Sequence, residues 1–187
     1  MARQLWLLRH ADAEPHGTRA DSERRLTPRG ERQARLAGLA LGRADVSFHA
    51  VLVSPKVRAQ QTARLALEEW GEVRGDGGEH GAAAGHANGR EESGRQPVPQ
   101  TYAPLAGGFD AAQALDALAG TAADARVLLV GHEPDLSGVV GELTGARIDL
   151  KKGGLAVVRL NGASGELVVL LRPRELALIA NLATADV

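Results

Sequence analysis

The chain has no cysteine. This excludes disulfides, thiol nucleophiles and cysteine-ligated metals. Lysine is scarce, with three against nineteen arginines, so an arginine taken singly marks no function. There is no excess of either charge, since the formal net charge is -1. A general nucleic-acid or membrane-surface binder carries a strong basic bias, and this chain does not. Long apolar runs are missing too. No segment approaches the length of a membrane span, and the N-terminal apolar run is too short for a signal peptide. These absences lead us to expect a cytoplasmic soluble protein, with no nucleic-acid partner and no membrane partner.

What is present is an alternation of apolar strands and helical stretches. The 187 residues suit a single domain covering 1–187 with room for a real core. Gln4 to Leu8 reads as a strand, Ala50 to Val53 as a second and Arg126 to Val130 as a third. Thr27-Pro28 opens a helix, with Thr27 as N-cap and Pro28 in the first helical position. Ala34, Ala37, Gly38 and Leu41 give it a small-residue packing face. Ser54-Pro55 repeats the signal, and its helix is expected to reach about Trp70. Further helices are expected over Phe109 to Leu118, from Asp135 as cap to about Leu143, and over Arg174 to Leu182. Leu155 to Leu160 and Glu166 to Leu171 read as a hairpin around Asn161-Gly162-Ala163-Ser164-Gly165. The expected fold class is α/β: a three-layer α/β/α arrangement around a mostly parallel sheet with one antiparallel strand near an edge. Gly71 to Gln100 has little to bury and reads as a mobile glycine-rich loop inside the domain.

The chemistry gathers at strand ends. Leu5-Trp6-Leu7-Leu8 runs into Arg9-His10, Val51-Leu52-Val53 into Ser54-Pro55 and then Arg58, and Val127-Leu128-Leu129-Val130 into Gly131-His132. In α/β folds, ligands bind beyond the carboxyl ends of strands. Arginine offers a phosphoryl group a planar fork of donors and stays charged. Arg9 and Arg58 suit that task, and the start of a helix reinforces Arg58. A neutral imidazole attacks phosphorus in line and divides one hard step into two. His10 suits the nucleophile, and His132, if protonated, adds a donor to the transferring group. His16 is near enough in sequence to line the pocket. His49 reads as structural, and His80 and His86 as solvated loop residues.

These residues resemble the histidine phosphatase (phosphoglycerate mutase-like) superfamily. Leu8-Arg9-His10-Ala11 is similar to its Arg-His signature. Leu26-Thr27-Pro28-Arg29-Gly30, Ser54-Pro55 with Arg58-Ala59-Gln60-Gln61-Thr62, and Val130-Gly131-His132-Glu133-Pro134 resemble its further blocks, in order. The short chain and the Arg-His-Ala and Gly-His-Glu-Pro forms are most similar to the SixA-type phosphohistidine phosphatases. The resemblance implies a phosphoglycerate mutase-like fold. It also implies a phosphorylated His10, a phosphate pocket completed by Arg9, Arg58 and His132, and neither metal nor cofactor.

Two departures stand out. Ala11 replaces the glycine found in much of the superfamily, but a small residue is retained. Larger members carry a proton-donating Glu or Asp after the second block, where this chain has its glycine-rich loop. Glu79, Glu91 and Glu92 lie there without a supporting context. Glu133 is nearer and is a candidate substrate-binding residue, whereas Asp135 reads as a helix cap. A missing acid suits a phosphohistidine substrate, because imidazole leaves readily, with a pKa of about 6.5 for its conjugate acid. The expected function is a metal-independent phosphatase that dephosphorylates phosphohistidine on a signalling protein, and the expected state is a monomer. The alternatives are a small-molecule phosphomonoesterase or phosphomutase of the same superfamily, a metal hydrolase, and a non-catalytic phosphate-binding module.

Overall fold

A computed structural model describes residues 2–75 and 97–182. Glu79, His80, His86, Glu91 and Glu92 lie outside the described residues. The strands are β1 (Gln4–Arg9), β2 (Ala50–Val53), β3 (Gln100–Thr101), β4 (Arg126–Gly131), β5 (Leu155–Asn161) and β6 (Ser164–Leu171). The helices are α1 (Pro28–Arg43), α2 (Val57–Arg74), α3 (Ala111–Asp116), α4 (Asp135–Thr144) and α5 (Pro173–Asn181). The sheet order is β3-β2-β4-β1-β5-β6. β1, β4, β2 and β3 pair in parallel, and β5 runs antiparallel to both of its neighbours. The expected architecture is therefore present, with the reversed strand one place from an edge.

Strand side chains alternate between faces, and here both faces are buried. Leu8, Val51, Val53, Leu128, Val130, Leu155 and Val157 meet α1, α2 and α5. Leu5, Leu7, Leu52, Val127, Leu129, Ala156 and Val158 meet α3 and α4. This is why the strands read as near-continuous apolar runs. Helices α1 and α2 approach closely through Gly38, where a Cβ would lie 2.0 Å from the Ala66 carbonyl oxygen.

Several boundaries differ from the expectation. Helix α2 begins at Val57 with Lys56 as cap; the Ser54 hydroxyl accepts from the Lys56 N–H at 3.3 Å and also meets His132. The helix runs on to Arg74, and Gln100 belongs to a short edge strand, so the segment expected as loop is structured at both ends. Helix α3 is shorter than expected. It starts after Asp110, whose side chain accepts from the Gln113 N–H in a capping box. Asp135 is the first helical residue of α4 and not its cap, and its carboxylate accepts from the Phe109 N–H at 3.2 Å. The β5–β6 turn needs only two residues, and Gly162 supplies the left-handed conformation there with φ 65°.

Candidate active site

Adjacent strands β2, β4 and β1 end side by side, and their ends assemble the site. Arg9, the last residue of β1, stands opposite Gly131, the last of β4. The His10 N–H donates to the Gly131 carbonyl at 3.0 Å, and the Ser54 N–H to the Val130 carbonyl at 3.0 Å. Parallel pairing thus continues past the strands and fixes His10, Ser54 and His132 next to one another.

His10 and His132 are buried, with ring centroids 5.1 Å apart. His10 Nδ1 lies 2.7 Å from the Ala11 carbonyl oxygen. A carbonyl only accepts, so Nδ1 carries the proton and Nε2 carries the lone pair. Arg58 Nε donates to that Nε2 at 3.2 Å. Burial first, then Arg58, Arg9 and Lys152, push the His10 imidazolium down to about 3, against the opposing Ala11 carbonyl. Burial, followed by His10, Arg58 and Lys56, likewise lowers His132 to about 3. Both rings are therefore neutral at pH 7 in the anion-free site. His132 is a neutral donor or acceptor there; Asp21 opposes the shift, and a bound anion would favour protonation further.

Arg58 is buried, and Asp21 holds its far end. Nη1 donates to the Asp21 carbonyl, and Nη2 lies 3.3 Å from the carboxylate. Arg9 donates through Nη1 to the Leu150 carbonyl at 2.7 Å. The segment before β5 straps it in place. The Arg9 N–H donates to the Gly154 carbonyl, and the Gly153 N–H donates back to the Arg9 carbonyl. Arg9 Nε and His132 Nδ1 are buried without a hydrogen-bond partner. Burial lowers the pKa of both arginines, while Glu133 and Asp149 oppose the shift at Arg9 and Asp21 opposes it at Arg58. Arginine still remains a cation under all ordinary conditions.

Glu133 is half-buried, and its carboxylate accepts from the Ser137 N–H at 3.2 Å. Burial raises its pKa, with Ser137 and Arg9 opposing. His16 is exposed and lies 3.9 Å from Asp21. His49 accepts from the Arg126 N–H at 3.0 Å and so ties β2 to β4, a structural role. Among the described residues, no group of three or more His, Cys, Asp or Glu side chains is arranged to hold a metal. No described helix is long and apolar enough to cross a membrane.

Three contributors escaped the sequence reading. Ser54 Oγ lies 2.7 Å from His132 Nε2, although its place before proline suggests a helix cap. Thr62 accepts from the Ala11 N–H at 3.1 Å and donates to the Arg58 carbonyl at 2.7 Å, tying the nucleophile loop to α2. Asp21 grips Arg58 from a surface turn with no motif around it. Only the Gln-Gln-Thr block held a signal for Thr62.

Comparisons with known proteins identify the family. The profile of the histidine phosphatase superfamily (branch 1) matches residues 5–168. An uncharacterised protein of Picosynechococcus sp. is 30% identical over 185 residues, covering 91% of this chain and 97% of that protein. The structure of the protein histidine phosphatase SixA complexed with tungstate superposes with a TM-score of 0.68 at 25% identity, covering 92% of this chain and 99% of that one. The alpha-ribazole phosphatase of Shigella flexneri shares the fold, with a TM-score of 0.60 at 22% identity over 91% of this chain and 96% of its own. The match spans most of the chain, and this chain belongs to the histidine phosphatase superfamily.

Proposed function

We propose that the protein is a metal-independent phosphatase that passes a phosphoryl group through His10 and removes it from phosphohistidine on a cytoplasmic signalling protein. The family match and the SixA neighbour support a phosphatase. The observation that carries the mechanism is the His10 ring. Its Nδ1 is committed to the Ala11 carbonyl, and its Nε2 lone pair faces Arg58. We read 1–187 as one domain serving this site.

In this reading the phosphoryl oxygens take donors from Arg9, Arg58 and His132. Arg9 Nε and His132 Nδ1, both buried without partners, supply two of them. The incoming oxygens displace Arg58 from Nε2, which then attacks phosphorus. The new N–P bond forms as the bond to the substrate's imidazole breaks, and that imidazole leaves neutral because its other ring nitrogen has already taken a proton from solvent. Water then attacks the phosphorylated His10, releasing inorganic phosphate and restoring the ring. Glu133 lines the Arg9 side and repels a second anion there. The imidazole leaving group needs little acid assistance, so this mechanism asks for no dedicated proton donor.

The test is to trap the phosphoenzyme with a radiolabelled phosphohistidine protein, and to repeat turnover with His10→Ala. Label on His10 and loss of turnover are expected. Unchanged turnover in the variant overturns the mechanism. A panel of sugar phosphates, nucleotides and phosphoproteins tests the substrate, and a strong preference for an alkyl phosphate overturns that part.

A further inference from the structure

Every residue from Pro15 to Glu23 is exposed, yet Asp21 turns its carboxylate inward. Lys56 Nζ donates to Oδ2 at 2.9 Å, and Arg58 Nη2 lies 3.3 Å from the same oxygen. Arg24 Nε lies 3.3 Å from Oδ1, and His16 Nδ1 3.9 Å from it. Arg24 and Arg58 are buried. One carboxylate on an exposed turn thus stands within ion-pair distance of three permanent cations, one of which also contacts the His10 nucleophile.

We propose that the Asp21 carboxylate is an internal competitor of the phosphoryl group: it holds Arg58, Lys56 and Arg24 in the free protein, and a bound dianion draws them away from it. The proposal rests on the phosphate-pocket reading above. A phosphoryl dianion carries more charge than a carboxylate and presents three oxygens, so it is the stronger acceptor for the same cations. Asp21 cancels part of their attraction for as long as it stays in place. Its own pKa is held well below the ordinary carboxylate range, chiefly by Lys56 and then by Arg58, with burial opposing. A ligand must offset that mutual stabilisation before the cations become its own. The turn would then be released, opening the pocket mouth on the α2 side.

Charge and positioning are separable at this residue. The Asp21 backbone carbonyl accepts from Arg58 Nη1 independently of the side chain. Removing the carboxylate's charge therefore leaves Arg58 one of its anchors.

The test measures calorimetric binding of inorganic phosphate at low ionic strength to the full chain, to Asp21→Asn and to Asp21→Ser. Both variants are expected to bind roughly three- to tenfold more tightly, with the gain shrinking as salt rises. Unchanged or weaker binding overturns the proposal, and weaker binding assigns Asp21 to holding Arg58 in place. In the unaltered protein, amide exchange at Asp21–Arg24 is expected to quicken on addition of phosphate. Unchanged or slower exchange also overturns it. Neither readout needs turnover, so failure of the His10 mechanism and failure of this proposal are seen separately.

Discussion

Arg58 donates through Nε to His10 Nε2 at 3.2 Å, so the cation suited to hold the phosphoryl group also covers the atom suited to attack it. Lysine keeps the charge but has no planar fork to reach His10 and Asp21 at once. Arg58→Lys is expected to lower kcat/KM by roughly 100-fold or more. Steady-state kinetics check this, and a value close to that of the parent would remove Arg58 from the mechanism.

Ser54 is fully buried, and its hydroxyl meets His132 Nε2. Ser54→Ala leaves that nitrogen buried without its partner. We expect a loss of stability of about 1–3 kcal/mol, measured by urea unfolding. We also expect kcat to fall more than KM rises, because His132 loses its fixed orientation. An unchanged kcat would make Ser54 a packing residue only.

The two depressed histidines make stability depend on pH. Unfolded, each titrates near 6.5, and folded, near 3. Between those values the unfolded chain binds protons that the native state does not, so stability falls as pH falls through that window. From pH 7 to pH 5 each histidine contributes a loss of about 2 kcal/mol. His10→Asn, which does not titrate, is expected to show a visibly shallower loss in phosphate-free urea melts. An identical slope would mean that His10 charges freely in the native state.

Two glycines give opposite expectations for alanine. At Gly38 a Cβ would meet the Ala66 carbonyl at 2.0 Å, so α1 must move away from α2. Gly38→Ala is expected to cost roughly 2–4 kcal/mol through that displacement. Gly138 is exposed in α4 with nothing within 4 Å of its Cβ position. Gly138→Ala is expected to stabilise by about 0.5–1 kcal/mol. Thermal melts of the pair decide both.

Much of the fold was legible because strands buried on both faces announce themselves as apolar runs. The Thr27-Pro28 start of α1 was legible for a similar reason, since the cap bond to the Gly30 N–H is local. Arg9, His10, Arg58 and His132 could be picked out because each follows such a run or opens the next helix. Ser54 misled because a serine before proline has two uses, and only the fold decides which. Asp21 was invisible because two of its partners, Lys56 and Arg58, lie more than thirty residues away. Strand β3 is only two residues long, so it leaves no periodic trace.

The central place of β4 has a consequence for how activity arises during synthesis. β4 lies between β1 and β2, so the ends of those two strands are not neighbours until residues 126–131 have been inserted between them. Pairings this distant in sequence form slowly and cooperatively. An emerging chain therefore holds Arg9, His10 and Arg58 long before it holds a pocket. The site is complete only once β4 and the later segment that holds Arg9, Leu150 to Gly154, have both been made, and no shorter fragment is expected to act as a weaker version of the whole.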